Sequence, residues 1–353
     1  MKPGFSLPNP GVAAALVAAL LFGAGTPAAK ALLNSVDPWM LAGWLYLGSG
    51  LGLTLYRRAI GAAPVRLAAH DRGWLAGAVL AGGVIGPVLL MLGLTGMAAS
   101  GASLLLNAEG VFTALLAWFV FNENVDRRIA LGMAAIAIGA ALLSWPQHWQ
   151  LAATWPALAV LGACFAWAID NNLTRKVSLT DASWIAAVKG MVAGPVNLAL
   201  SFAMGAALPA WPNIAGAMLV GLLAYGVSLT LFVVALRQLG TARTGAYFSV
   251  APFFGALLGL AGGEPLTPML IASGALMAFG VWLHLTERHG HLHEHPTGGH
   301  LHAHVHDEHH LHAHGDDEGD GVAADAPHAH WHEHAPLRHA HAHYPDAHHR
   351  HRH

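Results

Sequence analysis

Between residues 11 and 285 the chain is a succession of apolar stretches of roughly 17 to 25 residues, the length a helix needs to cross a bilayer, and each is closed by a charge or a turn residue. They predict helices over 11–33, 38–56, 73–93, 98–121 and 128–145, then over 155–173, 184–205, 213–235, 243–262 and 267–285. Hydrophobic residues make up 55% of the chain and charged residues 10%; because 23 of the 26 histidines lie beyond residue 286, the preceding part is more apolar still. A water-soluble fold cannot hide that much apolar surface. Lipid offers no hydrogen bonds, so each span must satisfy its own backbone, and a helical bundle follows. Small residues along the spans, among them Gly82, Gly83, Gly93, Gly96, Gly101, Gly132, Gly139 and Gly255, let helix backbones approach closely.

Basic residues are sorted by loop. With the N-terminus in the cytoplasm, Arg57, Arg58, Arg66 and Arg72, then Arg127 and Arg128, Arg175 and Lys176, and Arg237 and Arg243 all fall on the cytoplasmic side, while the opposite loops carry no Lys or Arg. This asymmetry predicts a multi-pass protein of a bacterial-type inner (cytoplasmic) membrane with both termini inside. Net charge is -2, so no basic field points to nucleic acid. The lone Cys164 excludes an intramolecular disulfide and a CxxC metal site. Val12 to Phe22 with Pro27-Ala28-Ala29-Lys30-Ala31 imitates a secretory signal, but the same pattern recurs mid-chain, where no signal could act.

That recurrence is an internal repeat. At a lag of about 145, Phe22, Lys30 and Trp39 line up with Trp167, Arg175 and Trp184; at a slightly shorter lag Gly96-x-Ala98-x-x-Gly101-Ala102 matches Gly240-x-Ala242-x-x-Gly245-Ala246, and an acid, Glu123 or Glu264, follows each. Five spans per copy is an odd number, so the second copy is inverted relative to the first, the plan of secondary transporters that bind substrate near the midplane. The expected fold is an all-α membrane protein of ten transmembrane helices in two inverted five-helix repeats, residues 1–145 and 146–286, followed by a disordered tail, 287–353.

Phe22-Gly23-x-x-Thr26-Pro27-x-x-Lys30 and Leu92-x-x-Thr95-x-Met97-Ala98-Ala99-x-x-Ala102-x-Leu104-Leu105, leading to Glu109-Gly110-Val111-Phe112-x-Ala114-Leu115-Leu116-Ala117, resemble the EamA-domain branch of the drug/metabolite transporter superfamily over about residues 10–285. The resemblance implies a ten-helix secondary carrier, usually an exporter of small solutes. Gly110 departs from the family pattern, in which proline commonly follows the glutamate; the second half keeps that proline as Pro252.

Charges inside a bilayer mark pathways or internal pairs, since each costs about 2.5 to 3.5 kcal/mol to insert. Candidates for the pathway are Glu109 with Asn107 in the fourth span, Lys189 in the seventh, and Asp170, Asn171 and Asn172 in the sixth. Glu109 reads either as a proton or cation carrier or as the partner of Lys189 in an ion pair that only fixes packing. The Asp170-Asn171-Asn172 cluster reads as a carboxylate and amide site for a cation or amine, or as a helix end satisfying its own backbone. Trp39, Trp44, Trp145, Trp149, Trp155, Trp184 and Trp211 fall near span ends, as interfacial anchors do.

Beyond residue 286 the character changes to alternating histidine: His289, His291, His293 and His295; His300, His302, His304 and His306; His328, His330, His332 and His334, interleaved with acids and too poor in apolar residues for a core. Clustered imidazoles suit Ni, Co, Zn or Cu; the alternative is a solvated, pH-responsive tail. No GxxxxGK[ST] or HExxH is present, so the chain reads as no enzyme and no ATP-driven pump, requiring no cofactor.

The expected function is a secondary exporter whose partners are the lipid bilayer and a small solute or metal ion, with a homodimer left open. Nickel or cobalt is favoured as cargo, because histidine-rich segments recur on nickel and cobalt resistance permeases that the chain resembles in outline. The alternatives are a small metabolite or amino acid with a metal-buffering tail, and a membrane-anchored metal sensor or chaperone.

Overall fold

The structure is a computed structural model that describes residues 10–120, 127–143, 151–177, 180–239, 247–286, 290–295, 298–304, 328–334 and 337–342. The chain divides into a helical unit and a tail unit, Arg288–Tyr344. Helices of the first unit are α1 (Pro10–Leu32), α2 (Pro38–Ala59), α3 (Arg72–Ala78), α4 (Gly86–Gly96), α5 (Ala99–Leu105), α6 (Ala108–Phe119), α7 (Arg127–Leu143), α8 (Leu151–Lys176), α9 (Ala182–Ala203), α10 (Trp211–Gly221), α11 (Ser228–Leu239), α12 (Ala251–Ala261) and α13 (Pro268–Leu285). A π-helical segment, Val79–Ile85, joins α3 to α4, and a second, Leu222–Val227, joins α10 to α11. Counting each joined pair as one, and α5 with α6 as one interrupted span, the helices form ten runs. Among the described residues, six runs are long and apolar enough by composition to cross a membrane, and shorter apolar helices accompany them.

The inverted repeat is visible where α2 meets α9, the most extensive contact between helices. Each begins at an aspartate N-cap: Asp37 accepts from the backbone N–H of Trp39 and Met40, Asp181 from those of Ser183 and Trp184. These caps lie 144 positions apart, so Trp39 matches Ser183 and not Trp184, one residue off the sequence alignment. At the far end of each helix, a polar residue reaches the other's cap. Arg57 Nη1 lies 2.5 Å from Asp181 Oδ2, and Ser201 Oγ donates to Asp37 Oδ1 at 3.3 Å. Burial alone would raise the Asp181 carboxyl, but hydrogen bonds from Ser183 and Arg57 outweigh it and hold the group below the usual carboxylate range.

Between these ends the backbones nearly touch. A Cβ on Gly190 would lie 2.4 Å from Gly50 N and 2.5 Å from Tyr46 O; one on Gly194, the counterpart of Gly50, would lie 2.7 Å from Leu47 N. Only glycine fits such a crossing, and in lipid the dispersion contacts it permits are a main source of helix association.

Interruptions recur in matched places as well. The third and eighth runs each carry a π segment, and the fourth, expected as one helix over 98–121, breaks between α5 and α6 at Leu106 and Asn107. In the ninth run a turn at Ser249 and Val250 precedes α12, which opens on Ala251 and Pro252. The fourth run therefore breaks without the proline that Gly110 replaces. At one end of the bundle, Glu264, in the turn after α12, accepts from Ala99 N at 2.6 Å and Ser100 N at 2.7 Å, capping the first turn of α5 from the other repeat. Burial would raise its carboxyl, yet the Ser100 and Ala99 hydrogen bonds and the Lys30 charge keep it below the usual range. Lys30 itself donates to Leu94 O.

The expected disordered tail contains four short described strands: β1 (Gly290–His295), β2 (Gly298–His304), β3 (His328–His334) and β4 (Leu337–Ala342). β1 pairs with β4 and β2 with β3, both antiparallel. His289 and His306 lie outside the described residues, as do Glu123, Trp145 and Trp149.

The crossing yields a direct expectation. Gly190→Ala should lower the thermal stability of the purified protein by about 1–3 kcal/mol through overpacking against backbone. Gly73→Ala, whose added carbon meets nothing within 4 Å, should not lower it. Equal stability of the two variants would contradict the crossing.

Candidate functional site

The break in the fourth run places Glu109 in the first turn of α6, where unpaired backbone N–H groups favour a negative charge. Its carboxylate accepts from Asn171 Nδ2 of α8 at 2.8 Å, and the same amide lies 3.4 Å from Thr113 Oγ1. Asn172 Nδ2 donates to Ala168 O at 2.9 Å and to Thr113 O at 3.2 Å, tying α8 to α6. Among the described residues no Lys or Arg pairs with Glu109.

Lys189 has a different partner from the one the sequence suggested. Its Nζ lies 2.5 Å from Asp170 Oδ1 and donates to Thr174 Oγ1 at 2.9 Å, while Thr174 Oγ1 also donates to Asp170 Oδ1 at 2.8 Å. Of the two readings of Glu109, the ion pair with Lys189 is not formed; Lys189 pairs with Asp170, both side chains about one-tenth exposed. Helix geometry explains the split: successive residues project about 100° apart, so Asp170 faces Lys189 and Asn171 faces Glu109. Asp170, Asn171 and Asn172 thus do not act as one cluster. Asn107 stands apart too, its amide donating to Leu104 O at 3.0 Å and lying 4.0 Å from Met277 Sδ, where it secures the break.

The π segment of the third run is the floor beside this pair. Asp170 packs on Gly82 so closely that a Cβ there would overlap its carboxylate. Carbonyls around the irregular turn are taken up by side chains: Gly82 O accepts from Tyr46 Oη at 2.6 Å and Trp167 Nε1 at 3.0 Å, and Gly83 O from Asn197 Nδ2 at 3.0 Å. π-Bulges concentrate at functional sites. The matching segment of the eighth run carries Tyr225, whose ring lies 5.4 Å from that of Tyr46 and 6.1 Å from that of Phe22; Phe22 in turn lies 5.4 Å from Phe248. Aromatic faces from α1, α2, the second π segment and the start of the ninth run thus gather together, while the Glu109 carboxylate, the Asn171 amide and the Thr113 hydroxyl meet between α6 and α8.

Tyr46, Tyr225 and Phe248 escaped the sequence reading, and Phe22 and Trp167 entered it only as markers of the repeat and of the family resemblance, because an aromatic in an apolar run gives no separate signal. Gly82-Gly83 was the available clue, but it reads equally as a packing site. Among the described residues no group of three or more His, Cys, Asp or Glu comes together. The Cys164 thiol donates to Leu105 O at 3.6 Å.

Removing one member of the buried pair should be far worse than removing both. Asp170→Asn leaves the Lys189 charge unmatched, a loss of about 3–5 kcal/mol, and adding Lys189→Met should restore most of the thermal stability. Glu109→Gln combined with Lys189→Met should show no such rescue. The reverse pattern would return Lys189 to Glu109.

Comparison with known proteins agrees with this architecture. The model of the EamA-like transporter family matches twice, over residues 9–145 and 154–286. An uncharacterized transporter of Methanothermobacter thermautotrophicus is 29% identical over 288 residues, 76% of this chain and 84% of that one. A probable amino-acid metabolite efflux pump of Salmonella typhimurium is 36% identical over 83 residues, 23% of this chain and 28% of that protein. A solved crystal structure superposes with a TM-score of 0.59 at 16% identity, covering 77% of this chain and 95% of that one, which shows a shared fold. Two copies of the family's domain cover most of the sequence, and the chain belongs to the EamA-like transporter family as a multi-pass membrane transporter of the drug/metabolite type.

Proposed function

We propose that the protein is a proton-linked secondary exporter of a small organic solute with an amino group, of the amino-acid type. The observation that carries this reading is Glu109: a carboxylate with no cationic partner among the described residues, at the start of a half-helix, held by the Asn171 amide. A charge there is costly unless neutralised. A proton and the ammonium group of a solute can each neutralise it, and both cannot do so at once, so binding one releases the other. Antiport follows from that competition when the two halves rock about the midplane. Asp170, already matched by Lys189, and the amides of Asn171 and Asn172 shape the pathway without carrying the proton, and Asn107 holds the break. The amino-acid metabolite pump among the relatives supports this class of cargo. Arginine sorting supports an inner-membrane location with both termini in the cytoplasm.

A second reading takes nickel or cobalt as cargo, with the tail gathering metal at the cytoplasmic mouth. Strand register favours metal binding by the tail, since His300, His302 and His304 stand opposite His332, His330 and His328, and His291 and His293 opposite His341 and His339. Imidazole as a ligand type suits Ni, Co, Zn or Cu. The bundle argues against metal as cargo: an amide and a hydroxyl beside one carboxylate are a poor donor set for these ions.

Liposomes holding the purified protein distinguish the readings. Under an imposed pH gradient, radiolabelled amino acids should move with wild-type protein and fall to the level of empty liposomes with Glu109→Gln. Wild-type flux in that variant would remove the carboxylate from the mechanism. Nickel, cobalt and zinc should show no flux. Metal flux whose half-maximal concentration rises on deletion of residues 289–353, with the maximal rate kept, would replace the first reading by the second. On either reading full-length protein should bind Ni(II), Cu(II) or Zn(II) near neutral pH, and deletion of the tail or a fall in pH through about 6.5 should abolish binding.

A further inference from the structure

A groove of about 860 Å³ opens on the flank of the bundle, between the third run and α9, outside the Glu109 site. It lies within the ~300–1,000 Å³ range of small-molecule sites. One end is cationic: Arg66, in the connection between α2 and α3, and Arg72, the first residue of α3, are both exposed, and among the described residues neither makes an ion pair or a side-chain hydrogen bond. The rest is apolar. Leu80 and Val84 form one wall, Val188, Val192 and Val196 the other, and Trp184 stands near the arginine end. Leu80, Val192 and Val196 remain 56%, 46% and 40% exposed although they lie along membrane spans.

Size and polarity fit one occupant. From Arg72 to Val84 the groove follows twelve residues of helix, at most about 18 Å at the α-helical rise of ~1.5 Å and less through the π segment Val79–Ile85, which rises less per residue, close to the ~15 Å of one leaflet of the ~30 Å hydrocarbon core. From Trp184 to Val196 the opposite wall covers the same number of residues. A ligand with an anionic head and one long apolar chain would place its head at the two guanidinium groups and its chain between the walls. Basic pockets at the ends of transmembrane helices bind anionic lipid heads in this manner.

We propose that this groove is a site for an anionic phospholipid, its phosphate held by Arg66 and Arg72 and an acyl chain lying between Leu80 and Val192. The site does not rest on the transport reading or on the orientation of the chain, since the arginines face the headgroups of one leaflet either way. It has a structural consequence, because the wall that holds Leu80 and Val84 is the π segment whose Gly82 seats Asp170, and Val188 precedes Lys189. A chain in the groove supports the outer side of that irregular turn.

Trp184 reports on occupancy. Full-length protein is placed in vesicles of dibrominated phosphatidylglycerol or dibrominated phosphatidylcholine, and the Trp184 contribution to quenching is taken as the difference between wild type and Trp184→Phe. Phosphatidylglycerol should quench Trp184 selectively, and Arg66→Gln and Arg72→Gln should each weaken the preference by about fivefold. Val192→Phe, which fills the groove and leaves both arginines, should reduce quenching by either lipid. Equal quenching by the two lipids, or a preference that survives loss of both arginines, would overturn the proposal. So would protection of Trp184 from both lipids in wild type, the result expected if a second copy of the chain covered the groove.

Discussion

The near-contact of two backbones at Gly50 and Gly190 sets the geometry of everything around it. In lipid no hydrophobic force pushes helices together, so association depends on how closely their surfaces fit. α2 and α9 lie at that limit, and each brings a polar group from its last turn to the aspartate that caps the other. The local two-fold relation made there extends to the neighbouring runs, and it is why π segments occur in the third and eighth and interruptions in the fourth and ninth.

Irregular backbone within a membrane is tolerated only where protein satisfies the freed groups. Here the accounting is explicit: Tyr46 and Trp167 bond Gly82 O, Asn197 bonds Gly83 O, and Asn107 bonds Leu104 O at the break before Glu109. The side chains that repair the backbone come from α2, α8 and α9 and the break before α6, so the irregular turns are held by several helices at once. The repeats are unequal in one respect. With Gly110 aligned to Pro252, Glu109 has Ala251 at the matching place in the second half, and among the described residues the carboxylate has no cationic partner.

Much of this was legible in sequence. Span lengths, arginine sorting and the offset repeat gave ten helices and their inversion, because bilayer thickness and the positive-inside bias act directly on composition. The partner of Lys189 was not legible: Asp170 and Glu109 are both carboxylates, and which one meets a lysine on another helix depends on rotation about α8. The aromatic set around Tyr225 was also hidden, since its members come from α1, α2, the second π segment and the start of the ninth run. The break in the fourth run was not legible either: the apolar stretch over 98–121 reads as one helix, and Gly110 stands where the family commonly has proline, yet the run is interrupted at Leu106 and Asn107, where the Asn107 amide bonds Leu104 O.

Competition of proton and solute for the Glu109 carboxylate is the centre of the proposed mechanism. Proton release on binding tests it without any membrane gradient. Purified protein in weakly buffered detergent, mixed with the amino acid that it moves in liposomes, should release protons in proportion to the solute bound, and the Glu109→Gln protein should release none. Solute binding by wild type with no change in proton uptake or release would contradict the claim.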